Sequence, residues 1–243
     1  MRVKYPVLAP IAVALFAQPA AAALVSTYGM TDDVWATPLS PGKALIDARA
    51  IYNYTAAGPD VLTLPGASLV FGLPANWEVG VSGQYNLPVS HTGGQTSAPG
   101  IANPYLKVQL PWSPGGTVFG LVGGVQIPTQ SQMEHNIAVE AVAAIPLASA
   151  WSLDLNLGAG RTFVAPATLG HGSASIYCTL ATGQSFVLEG GTYLTSDAPV
   201  AYVEHVGFLQ PISSQWSADL SVAADEQAAT TGYVPQLGTT LIF

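Results

Sequence analysis

The chain has 243 residues, of which only 8% are charged, against roughly a quarter in an ordinary soluble protein. Its mean hydropathy is positive, yet 25 glycines and 19 prolines argue against a bundle of long helices, since both residues weaken helix interiors. A formal charge of −8 makes nucleic acid a poor partner, because phosphates need basic neutralisation, and a lone cysteine, Cys178, rules out an internal disulfide or a cysteine-rich metal site.

The first element is a signal peptide over residues 1–23. Arg2 and Lys4 form its basic start, Val7 to Phe16 its apolar centre, and Ala20-Ala21-Ala22-Ala23 its small-residue cleavage site. Its removal leaves Lys43, Arg49, Lys107 and Arg161 against 14 acids. Residues 24–42 then form a short periplasmic N-terminal segment, too small for a domain, which could tuck into a barrel mouth. The remainder, 43–243, reads as one unit.

That unit is a succession of runs with period-two alternation, each closed by a turn. Membrane-spanning strands need about 9–11 residues, apolar towards lipid and polar towards the lumen. In Trp77–Asn86, Trp77, Val79, Val81, Gly83 and Tyr85 share one face, and Glu78, Gly80, Ser82, Gln84 and Asn86 the other. Trp151–Arg161 and Tyr233–Phe243 repeat the pattern. The same reading places strands near 43–54, 61–72, 77–86, 103–112, 117–127, 135–147, 151–161, 173–182, 185–194, 200–210, 216–224 and 233–243. Twelve is an even number, as a bacterial single-chain barrel requires. The fold class is therefore all-β, an antiparallel transmembrane β-barrel of 12 strands, set in the outer membrane of a Gram-negative-type envelope.

Connections alternate between short and long. Leu73–Asn76, Ser113–Gly116, Ala148–Ala150, Gly183–Gln184 and Pro211–Gln215 are short. Leu87–Ala102, the longest of the others, is the expected gating loop. Trp77, Trp112, Trp151 and Trp216 flank the short turns, where an aromatic girdle belongs at the periplasmic interface. Tyr52, Tyr54, Tyr85, Tyr105, Tyr193 and Tyr233 lie towards the other end and form an outer girdle. The chain ends on Phe243 after an alternating strand, resembling the signal by which barrel-insertion machinery recognises its clients.

Register turns the charges into an expectation about function. Asp47, Arg49, Glu78, Lys107, Glu140, Asp154, Glu189, Glu204 and Asp219 fall on polar faces and are expected to line an acidic lumen, since a basic residue facing lipid at the midplane costs roughly 2–4 kcal/mol. His205 then falls on the lipid face, where it has no account. The lumen is either a polar pore for neutral or cationic small solutes, or a narrow bore plugged by ion pairs, since 12 strands lie between filled and open barrels.

Two short motifs carry a family resemblance. Gly72-Leu73-Pro74-Ala75-Asn76-Trp77-Glu78-Val79-Gly80 and Gly124-Val125-Gln126-Ile127-Pro128-Thr129 resemble a turn and a strand end in the MetA-pathway of phenol degradation family of outer-membrane barrels. Ala102-Asn103 and Gln130 depart from that pattern. The resemblance implies uptake of small, often hydrophobic or aromatic compounds, and carries no substrate-binding residue over.

The rival class is a lipid hydrolase of the outer surface. His171-Gly172-Ser173 supplies a base and a nucleophile, but no asparagine follows to orient the base. A structural barrel without transport is a third reading. Glu134-His135 is adjacent rather than spaced for a metal, and His91-Thr92-Gly93-Gly94 lacks the lysine and helix of a phosphate loop. No cofactor and no catalytic residue is expected. The expected partners are outer-membrane lipid, a small-molecule solute and, through Phe243, the barrel-insertion machinery.

Overall fold

Period-two chains with half their residues apolar bury one strand face at a time, and closing the sheet on itself removes its unpaired edges. A computed structural model describes residues 35–55, 60–89, 98–128, 135–163, 166–196, 198–227 and 230–243. The expected signal peptide over 1–23, residues 24–34, and the motifs at His91–Gly94 and Glu134 lie outside them. The described residues form β1 (Ala44–Thr55), β2 (Val61–Leu73), β3 (Trp77–Pro88), β4 (Ala98–Gln109), β5 (Val118–Pro128) and β6 (Asn136–Ala148). They continue as β7 (Trp151–Thr162), β8 (Thr168–Thr179), β9 (Ser185–Thr195), β10 (Ala198–Pro211), β11 (Trp216–Gln227) and β12 (Thr230–Ile242). Each strand pairs antiparallel with its neighbours in sequence, and β1 pairs with β12, closing the barrel.

Two expected strands start late. β4 begins at Ala98 rather than 103, and β8 at Thr168 rather than 173. Pro99, Gly100 and Pro104 in one, and Gly170 and Gly172 in the other, disguise them as loop, although an antiparallel ladder admits glycine and places proline at bulges or unpaired positions. The connection expected at Leu87–Ala102 is shorter for the same reason. Leu87 and Pro88 close β3, and Ala98–Ala102 open β4.

The prolines mark where the ladder bends. β2 carries an extra residue between Thr63 and Gly66 relative to both neighbours, a bulge that accommodates Pro65. Pro199 sits in the matching irregularity of β10. Pro104 pairs with Val81 on β3, while the ladder to β5 passes from Ala102–Ile127 directly to Tyr105–Gly124. In the turn between β2 and β3, Ala75 and Asn76 adopt left-handed backbone, φ 59° and 60°.

The outer wall is apolar. Leu157, Leu188, Leu237, Val206 and Leu220 are all more than half exposed on it. Trp77, Trp112, Trp151 and Trp216 are also exposed, and all four stand at the short-turn end. No helix among the described residues is long and apolar enough to cross a membrane.

Candidate functional site

The inner wall collects what the outer wall lacks. Asp47, Glu78, Glu140, Asp154, Glu189 and Asp219 all point inward and are buried, together with Arg49 and Lys107. Carboxylates outnumber fixed cations there, and each cation is spoken for.

Arg49 on β1 holds two acids at once. Its Nε and Nη2 donate to Asp47 at 2.7 and 2.9 Å, and its Nη1 and Nη2 donate to Asp219 at 2.8 and 3.1 Å. Asp219 lies on β11, two strands away, and the residue in register between them is Gly238 of β12. A Cβ at Gly238 would stand 2.7 Å from Arg49 Nη1 and from both Asp219 oxygens. The missing side chain is what lets the guanidinium cross the strand. Thr240 adds a hydroxyl donor to Asp47 at 2.7 Å.

The same device recurs on the other side of the barrel. Glu140 on β6 and His171 on β8 flank Gly158 of β7 in register, and His171 Nδ1 lies 3.7 Å from Glu140 Oε1. The His171 ring stacks on Tyr193 with centroids 4.5 Å apart. Next to them, His205 Nδ1 approaches Glu189 Oε2 at 3.3 Å, and its Nε2 approaches Gln236 at 3.4 Å.

Glu78 is the third centre and ties the wall to the N-terminal segment. Lys107 Nζ lies 2.8 Å from Glu78 Oε1, Tyr105 donates its hydroxyl to the same oxygen at 3.0 Å, and the backbone N–H of Leu39 donates to Oε2 at 2.6 Å. Leu39 belongs to residues 35–43, of which Trp35, Ala36, Pro38 and Leu39 are buried or half-buried. Ala36 is buried against an inward apolar cluster of Leu45, Val70, Tyr105, Val122, Ala138 and Val142. Glycines make room for this packing: a Cβ at Gly72 would overlap Ser40 and Leu39 carbonyl oxygens, and one at Gly120 would meet the Ala36 oxygen at 3.0 Å. Gly80 likewise leaves space for the Tyr105 ring. The inward faces of β1–β6 thus combine this apolar cluster, packed against Ala36, with Asp47, Arg49, Glu78, Lys107 and Glu140, while β7, β9 and β11 add Asp154, Glu189 and Asp219.

Four expected placements change. Glu204 is exposed on the outer wall between Tyr202 and Val206, and His205 is buried inside. The reason is register: His205 pairs directly with Glu189 across the β9–β10 ladder, and directly opposed residues share a face. Tyr105 is 3% exposed and packs inside rather than in an outer girdle, because its hydroxyl is needed by Glu78. Tyr193 also leaves that girdle for its stack on His171. His171 and Ser173 both face the bore, buried, whereas a hydrolase acting on surface lipid would need them outward.

Sequence reasoning missed His171, His205, Tyr105 and Asp225 as inward groups. The one signal available was glycine: Gly238 and Gly158 on polar faces mark where a long side chain must pass. Among the described residues no group of three or more His, Cys, Asp or Glu side chains could hold a metal ion.

No family model matches the chain, and no curated protein matches it either. Solved structures do. The COG4313 outer membrane channel from Pseudomonas putida F1 superposes with a TM-score of 0.69 at 10% identity, covering 88% of this chain and 100% of that one. The KdgM porin in complex with disordered oligogalacturonate gives 0.59 at 9% identity, covering 81% and 98%. The CymD monoaromatic hydrocarbon channel gives 0.50 at 8% identity, covering 84% and 89%. At such identities the likeness is one of fold: this chain shares the barrel architecture of outer-membrane channels.

Proposed function

We propose that this chain, after removal of residues 1–23, is an outer-membrane channel through which small, largely apolar solutes diffuse passively. The observation that carries the reading is an inner wall that sets an apolar cluster among carboxylates that outnumber its cations. The cluster of Leu45, Val70, Tyr105 and Val122 offers contact to an apolar or aromatic body, and the surplus of inward carboxylates disfavours anions. Selectivity in such a bore follows from radius and lining charge. Membrane residence is supported by the outer wall, where exposed Leu157, Leu188, Leu220 and Leu237 make a belt far larger than a soluble protein tolerates. The tryptophans at the short-turn end supply its periplasmic rim.

Finer parts of the reading rest on residues. Membership of the phenol-degradation family is supported by Gly72–Gly80 and Gly124–Thr129. Insertion through the C-terminal strand is supported by Phe243, which is 54% exposed and donates its N–H to Ala44 O at 2.9 Å, sealing the β1–β12 seam.

One observation favours a structural barrel instead. Glu78, Glu140, Lys107 and Asp47 are at most 1% exposed, so at their level side chains and the N-terminal segment fill the bore. Proteoliposome uptake separates the two readings. A channel admits a small neutral aromatic faster than a sugar of equal mass and excludes a matched anion. A folded barrel that leaves uptake at the protein-free rate for all three is structural.

A further inference from the structure

The outer wall has one recess that the bore does not explain. Over β4–β7 an outward-open apolar groove of about 750 Å³ is lined by Leu106, Gly123, Val125, Val139 and Ala159, with Arg161 among its lining residues. Register explains the depth. Gly123, Val139 and Ala159 form one cross-strand row, so the floor carries a hydrogen and a methyl where leucines stand elsewhere on the wall. The next row towards the long connections is Val125, Ile137, Arg161 and Thr168, which sets a guanidinium and a hydroxyl at the rim.

Arg161 stands apart from the other cations. Arg49 and Lys107 are buried in ion pairs inside, and Lys43 precedes β1 at the short-turn end. Arg161 is exposed and makes no ion pair among the described residues. The outward carboxylates Glu204 and Glu226 sit on β10 and β11, across other strands. An apolar trough ending in a guanidinium matches an amphiphile with acyl chains and an anionic head, because arginine binds phosphate through two parallel N–H donors.

We infer that this groove is a binding site for a phosphorylated lipid of net negative headgroup in the outer leaflet, its chains in the trough and its phosphate on Arg161 and Thr168. The inference rests on the outer-membrane reading above, which places the long-connection end of the barrel at the cell exterior. The site belongs to the wall, so it anchors the barrel and is separate from the path through it.

The test is native mass spectrometry of the refolded mature chain, titrated with a bis-phosphorylated acylated glucosamine disaccharide, with phosphatidylethanolamine or with inorganic phosphate. The site predicts at least tenfold preference for the phosphorylated glycolipid over phosphatidylethanolamine, and no retention of phosphate alone. Arg161→Gln should abolish that preference, and Gly123→Leu, which fills the floor, should abolish retention; a folded Arg161→Gln barrel suffices if Gly123→Leu does not fold. Equal retention by wild type and Arg161→Gln, or no lipid preference in wild type, overturns the site. Bilayer conductance of Arg161→Gln is expected to equal that of wild type. A silent wild type that still selects the glycolipid would count against the channel and not against the site.

Discussion

Replacing Arg49 by glutamine isolates the energetics of the bore. The wild-type guanidinium makes four charge-assisted hydrogen bonds of 2.7–3.1 Å to Asp47 and Asp219, and the three side chains are between 1% and 8% exposed. Glutamine cannot span Gly238 to reach Asp219, so two carboxylates are left facing each other without a cation. Breaking a buried pair from one side costs about 3–5 kcal/mol, chiefly the uncompensated charge that remains. Removing all three charges, as Asp47→Asn, Arg49→Gln and Asp219→Asn together, should recover most of that loss. The assay is equilibrium urea unfolding of the barrel in lipid vesicles, with Arg49→Gln, Asp219→Asn and the double variant forming a cycle. A coupling energy of about 2 kcal/mol is expected. If the two single effects add within about 0.5 kcal/mol, the limit for independent sites, the pair across Gly238 does not exist as described.

Gly238→Ala places a methyl 2.7 Å from Arg49 Nη1 and the Asp219 oxygens. It should destabilise in the same assay by less than Arg49→Gln, because the guanidinium can retreat and keep Asp47; a neutral Gly238→Ala would contradict the crossing. Glu204→Leu and His205→Leu test the face assignment of β10. The first is expected to be neutral or to gain up to about 1 kcal/mol, because a charge leaves the apolar outer wall. The second is expected to lose stability, because Glu189 loses a partner, and the reverse order would restore the opposite phase. Glu78→Gln weakens the anchor of Leu39 N–H and of Lys107, so protease cleavage within residues 35–43 of the folded barrel should speed up severalfold; an unchanged rate would mean that the segment is held elsewhere.

How much of this was legible in the sequence depends on which physical rule was in force. Alternation in β3, β7 and β12 was plain, because most of their outward positions are leucine, valine or aromatic and most of their inward ones are polar or glycine. Tryptophan clustering at the short turns was equally plain. In β10 the rule failed at Glu204-His205, where two polar residues are adjacent and one must face outward; only the pairing of His205 with Glu189 decides which. β4 and β8 were cut short because glycine and proline signal loops locally, while a long antiparallel ladder absorbs them. The crossings of Arg49 over Gly238 and of Glu140 over Gly158 need cross-strand register between distant segments, which no single strand contains. The contact of Ala36 and Leu39 with the wall was foreseen only as a tuck into the mouth. Its partners, Glu78 among them, came from packing.

Single-channel recording of refolded residues 24–243 in planar bilayers tests the central claim most directly. The account predicts discrete openings that prefer cations, with the preference reduced when Glu140 and Glu189 are replaced by glutamine. It also predicts larger or more frequent openings in Glu78→Gln, where the N-terminal segment is less firmly held. A folded barrel that stays silent in wild type and in Glu78→Gln alike, or openings indifferent to the Glu140 and Glu189 charges, would contradict it.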